Sequence, residues 1–337
     1  MPRGDRAFVE VTERNPCPTC GGDGWCRVSP DGSVALCRRE ARGGRGRVDR
    51  AGIPYYVHRL RGGDPVPVGE AVARRLDALT AGEVPDLAPV EARAEVYAAT
   101  LRALALDATH RDALRTRGLP DAEIVRRGYR TLPPAGPPWP REALARELAD
   151  RFAPEVLAGV PGFVRRESRR TGRAYLTIAG SPGLLVPVRD LDGRIVALLS
   201  RPDTPPRPGV KYLWITSNAP GRPGPSPGNL AHVPLPMPDS PGARGGTVAV
   251  YEGILKADTA AALDAARLPA VGIPGHNGWP VALPVLRDLA PRTVRYFPDP
   301  DAWQKPEVGA SLRAFWHALK AEGYTPELGR FPDAEAR

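Results

Sequence analysis

A multidomain α+β protein is what three features of this sequence predict. Four cysteines crowd into residues 17–37, most of the excess positive charge falls on a run of strands in residues 161–222, and the C-terminal part alternates apolar runs with a helical pattern. In chain order the expected parts are an N-terminal β ribbon built on a metal over residues 1–60 and a linker with helices over 61–109. A basic mixed α/β subdomain over 110–245 and a parallel α/β sheet over 246–337 follow. A length of 337 residues and 42% hydrophobic content suit two or three domains with real cores.

The ribbon comes first. Cys17-x2-Cys20-x5-Cys26-x10-Cys37 offers four soft ligands for one tetrahedral zinc. Gly21 and Gly22 supply a tight turn under the first pair, and Asp31-Gly32 turns a β-hairpin that carries the later cysteines. All the cysteines lie in this one segment, which argues for metal and against a disulfide scaffold. The alternative makes Cys26 a buried strand residue, with Glu40 or His58 completing the shell. Trp25 and Arg27 flank the hairpin, where they would stack on and track single-stranded nucleic acid; packing over a very small core is the other reading of Trp25. Residues 41–54, rich in Arg and Gly, read as a flexible exit, and Tyr55 to Leu60 as a short strand.

Helical patterns follow at 70–79, 90–106 and 110–117, separated by turn-rich breaks. His110 reads as a residue near a helix start and not as a ligand. A helix ends at Gly118, the next opens with Pro120-Asp121, and a Pro-rich loop covers 133–140. Successive strands are expected at 174–178, 184–189, 195–201 and 211–215, with a hairpin turn at 190–194. Residues 161–222 hold eleven Lys/Arg against four Asp/Glu, and 38–50 hold six Arg against two acids. Arg189, Arg194, Arg201 and Lys211 thus punctuate a sheet, either as its solvated face or as a track for a nucleic-acid backbone.

The C-terminal part reads as βαβ-β: strands at 247–251, 269–273 and 293–297, with a helix over 257–266. Glu252 follows the first strand, and Asp299 and Asp301 follow the third. Parallel strands put such acids on one rim, where open α/β sheets bind ligands. Carboxylates meeting there form a hard-oxygen site for a divalent ion, suited to phosphoryl or nucleotidyl transfer. The bland alternative is a helix-capping glutamate and two aspartates in a polar turn. The formal charge of +9 fits an anionic partner of any kind. Without a signal-peptide core or an apolar run of membrane length, the chain reads as cytoplasmic, with no membrane partner.

The Glu-Gly turn at Glu252-Gly253 followed by Asp299-x-Asp301 resembles the TOPRIM fold shared by DnaG-type primases, topoisomerases and some nucleases. The order of parts, zinc ribbon, linker, basic half and TOPRIM half, is similar to a DnaG-type primase. So are Leu114-x-x-Arg117-Gly118-Leu119 and the string Leu185-x-Pro187-Val188-Arg189-Asp190 with Arg201 and Lys211-Tyr212-Leu213. Glu252-Gly253-x-x-Lys256-Ala257 and the string Val271 to Trp279 also resemble a TOPRIM-related group of plasmids, phages and mobile elements. The resemblance implies synthesis of short primers on a single-stranded DNA template from nucleoside triphosphates, alongside a separate replicative helicase. It implies a structural Zn²⁺ on Cys17, Cys20, Cys26 and Cys37, and a catalytic Mg²⁺ or Mn²⁺ on Asp299 and Asp301. Glu252 would hold a second metal or accept the proton of the attacking hydroxyl. Trp25, Arg27, Arg189, Arg201, Lys211 and Lys256 would bind DNA or nucleotide phosphates. Two departures stand out. Lys256 occupies a place usually held by Asp, and the family's later acidic cluster is absent or much reduced. A TOPRIM nuclease and a non-catalytic single-stranded-DNA-binding replication protein are the alternatives.

Overall fold

A computed structural model describes residues 8–29, 32–49, 52–60, 69–80, 84–136, 139–168, 172–207, 209–236, 243–263, 268–299 and 306–330. The N-terminal ribbon holds β1 (Val9–Glu10), β2 (Arg27–Val28), β3 (Val34–Cys37), β4 (Arg45–Val48) and β5 (Pro54–Arg59). They form one sheet in the order β1-β2-β3-β5-β4. The Arg/Gly run expected to be a flexible exit is therefore partly an edge strand, pairing Arg45 with Val57 and Val48 with Pro54. All four β4 residues are exposed. Backbone pairing alone holds an edge strand of this kind, so no apolar alternation announces it in the sequence, and its arginines protect the sheet edge.

Beyond the ribbon come α1 (Glu70–Thr80), α2 (Val90–Ala103), α3 (Ala108–Thr116), α4 (Asp121–Arg127), β6 (Arg130–Leu132), α5 (Pro140–Arg151) and α6 (Pro154–Ala158). Helix α5 is absent from the sequence reading because it begins at the last proline of the Pro-rich loop. Pro140 stands in its first turn, where a missing N–H costs nothing. Strands β7 (Phe163–Glu167) and β8 (Ala174–Ile178) pair antiparallel. Strands β9 (Gly183–Arg189), β10 (Ile195–Pro202) and the short β11 (Leu213–Trp214) belong with β6 to a four-stranded sheet ordered β11-β10-β9-β6.

The C-terminal part contains β12 (Thr247–Glu252), α7 (Ile254–Leu263), β13 (Ala270–Ile273), a 3₁₀ segment (His276–Val281), α8 (Ala282–Leu289), β14 (Thr293–Phe297), α9 (Pro306–Ala321) and β15 (Thr325–Leu328). Its sheet has the order β13-β12-β14-β15, with every pair parallel. The period-2 alternation of β12 sorts its side chains between two layers. Val248 and Val250 join Val271, Ile273, Ala282, Leu286, Val294 and Phe315 in one buried cluster. Ala249 and Tyr251 face the opposite layer with Ala257 and Ala270. Helix α7 thus covers one face, and α8 and α9 the other, as a parallel sheet requires. Each fully buried valine here contributes about 1.5–3 kcal/mol. Gly272 lets α7 lie close: a Cβ there would sit 3.0 Å from both Ala257 Cβ and Ile254 Cα.

The chain divides into two compact units, one of residues 1–105, 131–184 and 200–226, the other of 106–130, 185–199 and 227–337. Among the described residues no helix is long and apolar enough to cross a membrane.

Candidate active site and metal centre

Strand order locates the rim. From β12 the chain steps to β13 on one side, then crosses back to β14 on the other. This reversal makes a topological switch point beside the C-terminal end of β12, the place where open α/β sheets bind ligands. Glu252 is the last residue of β12, and Asp299 lies just past the end of β14. The register pairs Tyr251 with Phe297, which brings the two acids level. Gly253 makes the turn between them and α7 with φ +112°, a conformation a side chain would strain. Its N–H donates to the Ile273 carbonyl at 2.8 Å, and its carbonyl accepts the Ala257 N–H at 3.1 Å, starting the helix. That bond places the helix start three residues earlier than the sequence pattern does.

The Asp299 backbone N–H donates to Glu252 Oε2 at 3.2 Å. The Lys256 ammonium pairs with Asp299 Oδ1. His276 Nδ1 lies 3.7 Å from Glu252 Oε1, on the loop that leaves β13. The His276 carbonyl accepts the Ser311 hydroxyl at 2.9 Å, which ties that loop to α9. Burial, and behind it the Glu252 charge, pushes the Tyr296 phenol above its ordinary range. The rim thus gathers Glu252, Lys256 and Asp299 and adds His276, which no sequence motif singles out. The available signal was its position, just past a strand that ends on the same rim. Asp301 lies outside the described residues. Magnesium is usually held by one or two carboxylates plus substrate phosphates, so Glu252 and Asp299 have the right donor chemistry for it.

Behind the rim, α7 is pinned from below. Asp258 is fully buried, and its carboxylate accepts the Arg127 guanidinium, the Tyr129 hydroxyl at 2.7 Å and His232 Nε2 at 3.1 Å. The Arg189 backbone N–H donates to His232 Nδ1 at 3.0 Å, so the His232 proton sits on Nε2 and points at Asp258. Burial works against the Asp258 charge, but His232, Arg127 and the Tyr129 hydroxyl outweigh it and hold the group at about 2. Arg127 also pairs with Glu123 at 3.1 Å. His232 exchanges both backbone hydrogen bonds with Gly272, which fastens this network to the edge of β13.

The other expected binding residues are distributed as follows. The Arg189 guanidinium is spent on backbone carbonyls, Gly193 at 2.8 Å and Arg127 at 3.2 Å. Arg201 is half-buried on β10, and Lys211 is exposed just before β11. Arg27 forms an exposed ion pair with Glu10 at 2.8 Å. Trp25 is 77% exposed and has φ +68°, so it does not pack over the ribbon core.

In the ribbon the four Sγ atoms of Cys17, Cys20, Cys26 and Cys37 lie within 4.8 Å of one another. Two of the separations are 3.8 Å (Cys26–Cys37) and 3.9 Å (Cys20–Cys26). A tetrahedron with Zn–S of about 2.3 Å has edges of about 3.8 Å, so the geometry fits zinc. Backbone N–H groups of Arg38, Arg39 and Glu40 point at Cys26 and Cys37 sulfurs from 3.2–3.4 Å, ready to stabilise thiolates. Burial raises the Cys17 and Cys26 thiols above their ordinary value, a cost that a bound cation would reverse. His58 Nε2–H donates to the Glu40 carbonyl at 2.8 Å and stands outside the cluster, as does Glu40. Among the described residues these thiols are the only group of three or more such ligands close enough to hold a metal.

No family model matches this chain, and no curated protein matches it. Solved structures similar to it include DnaG primase catalytic cores and a primase with its zinc-binding and RNA polymerase domains. The RNA polymerase domain of Mycobacterium tuberculosis primase DnaG, in complex with double-stranded DNA, is 21% identical, with 73% of each chain covered and a TM-score of 0.49. The Aquifex aeolicus primase, with zinc-binding and RNA polymerase domains, is 12% identical, with 97% of this chain and 75% of that one covered and a TM-score of 0.49. A DnaG primase catalytic domain bound to single-stranded DNA is 19% identical, with 72% and 74% covered and a TM-score of 0.44.

Proposed function

We propose that this chain is a primase-like nucleotidyltransferase that makes short primers on single-stranded DNA. The observation that carries the reading is the rim itself. Two carboxylates stand at the C-terminal ends of adjacent parallel strands at the switch point, joined by the Asp299 N–H to Glu252 bond, with an ammonium beside them. The residues suit the transfer of a nucleotide from a triphosphate to a 3′ hydroxyl. The hydroxyl oxygen forms the new bond to the α-phosphorus, the bond to pyrophosphate breaks, and Glu252 is placed to take the hydroxyl proton. Asp299, with Asp301, would hold Mg²⁺ or Mn²⁺, which when bound neutralises phosphate charge in the transition state. Lys256 supplies a point charge for a phosphate.

The zinc ribbon takes the role of choosing where on the template to start, and exposed Trp25 offers a flat face on which a base stacks. Arg201 and Lys211 bind template backbone. The Glu-Gly-x-x-Lys-Ala string favours a plasmid, phage or mobile-element replicon, with the unwinding left to a separate helicase.

Labelled single-stranded DNA incubated with Mg²⁺ or Mn²⁺, with and without nucleoside triphosphates, tests this. Primers that appear only with nucleotides support the reading. DNA that shortens without them identifies a nuclease, and metal-independent binding with no product identifies a loading protein.

A further inference from the structure

We propose that Lys256 keeps the divalent-metal position at Asp299 closed until a phosphate-bearing ligand draws the ammonium away. The inference rests on the rim being a phosphoryl-transfer site, and adds an order to its filling. Asp299 Oδ1 is already neutralised by the Lys256 ammonium, so a cation arriving alone must displace it. Its neighbour Glu252 has one oxygen occupied by the Asp299 N–H.

Lys256 stands in the first turn of α7, a turn with no acidic residue. Backbone N–H groups at that end of a helix make it a poor place for an ammonium, and the contact with Asp299 offsets this. The same N–H groups, with the ammonium, make a good place for a phosphate. The Lys256 side chain is 39% exposed, and its charge rides on a flexible stem. That stem lets the ammonium reach from Asp299 to a phosphate oxygen. That exchange uncovers the Asp299 carboxylate at the moment when phosphate oxygens are at hand to complete a magnesium shell. Metal and triphosphate then bind with mutual assistance, each raising the affinity of the other.

The test uses Mn²⁺ binding to the full zinc-loaded chain, read from the electron paramagnetic resonance of free Mn²⁺. Without nucleotide, Lys256→Met should bind Mn²⁺ at least tenfold more tightly than wild type. Lys256→Arg, which keeps a cation, should stay near wild type. With saturating α,β-methylene ATP, which cannot be transferred, the gap between wild type and Lys256→Met should shrink below threefold. Equal affinities of wild type and Lys256→Met, or a gap that persists with the analogue, would overturn the proposal. Asp299→Asn in both backgrounds separates the two failures. If it weakens Mn²⁺ binding while Lys256→Met has no effect, the metal site stands without the gate. If it changes nothing in either background, the metal site and the proposed function fall together.

Discussion

The Tyr129 hydroxyl donates to Asp258 Oδ2 at 2.7 Å, joining two side chains 129 positions apart. With Arg127 on the other carboxylate oxygen, the contact fixes α7 beneath the rim at which Glu252 and Lys256 stand.

Replacing Asp258 with Asn should therefore destabilise the protein by about 3 kcal/mol, because it strands the Arg127 charge inside the fold with Glu123 as its remaining acidic partner among the described residues. Denaturant unfolding measures this. An effect under 1 kcal/mol would show that the Glu123 carboxylate is counter-charge enough for Arg127.

Acid should probe the same carboxylate. Folding lowers the Asp258 pKa from 3.8 to about 2, so the folded state favours the charged form. The stability this provides, about 2 kcal/mol, is present above pH 4 and is lost as pH falls toward 2. Unfolding of wild type and Asp258→Asn across that range should converge at the acid end. A constant difference between them would place the acid sensitivity elsewhere.

One zinc per chain is expected, and Cys26→Ala should lose most of it, since its sulfur is one vertex of the tetrahedron. Metal analysis after dialysis decides this. Full retention with unchanged affinity would leave Cys26 as a strand residue only.

Affinity for single-stranded DNA should fall steeply with salt. Changing Arg201 and Lys211 together to Ala should flatten the log–log slope by about 0.7 for each lost phosphate contact. An unchanged slope would move the binding surface to the ribbon.

Primer synthesis should vanish in Asp299→Ala and in Glu252→Gln, with DNA binding kept within a few fold. Near-normal product from Asp299→Ala would remove that residue from the chemistry.

Three of the four strands of the C-terminal sheet were legible because they are short apolar runs ending in punctuation, and the rim acids follow those runs closely; the edge strand β15 carries no such run. The zinc centre was legible because its ligands are close in sequence. Strand β4 was not, since an edge strand of Arg and Gly leaves no apolar alternation. Asp258 did leave a trace, an acid on the apolar face of α7 beside Ile254, Leu255 and Ala257. Its partners Arg127 and Tyr129 lie 131 and 129 positions away in sequence, and no local pattern joins them. His276 was hidden for a third reason: its loop is shaped by Gly275, with φ +115°, and by a hydroxyl from α9.

Each compact unit is stitched from three separate stretches of chain. During synthesis, Arg127 and Tyr129 leave the ribosome more than a hundred residues ahead of the carboxylate that receives them. Until then a guanidinium destined for the interior must stay hydrated, and this unit cannot close. A fragment cut at residue 246 would keep the rim acids and lose Arg127, Tyr129 and His232, leaving Asp258 as a buried charge with no counterpart. The smallest piece able to fold around the rim is therefore set by that acid's partners, and it reaches back at least to α4.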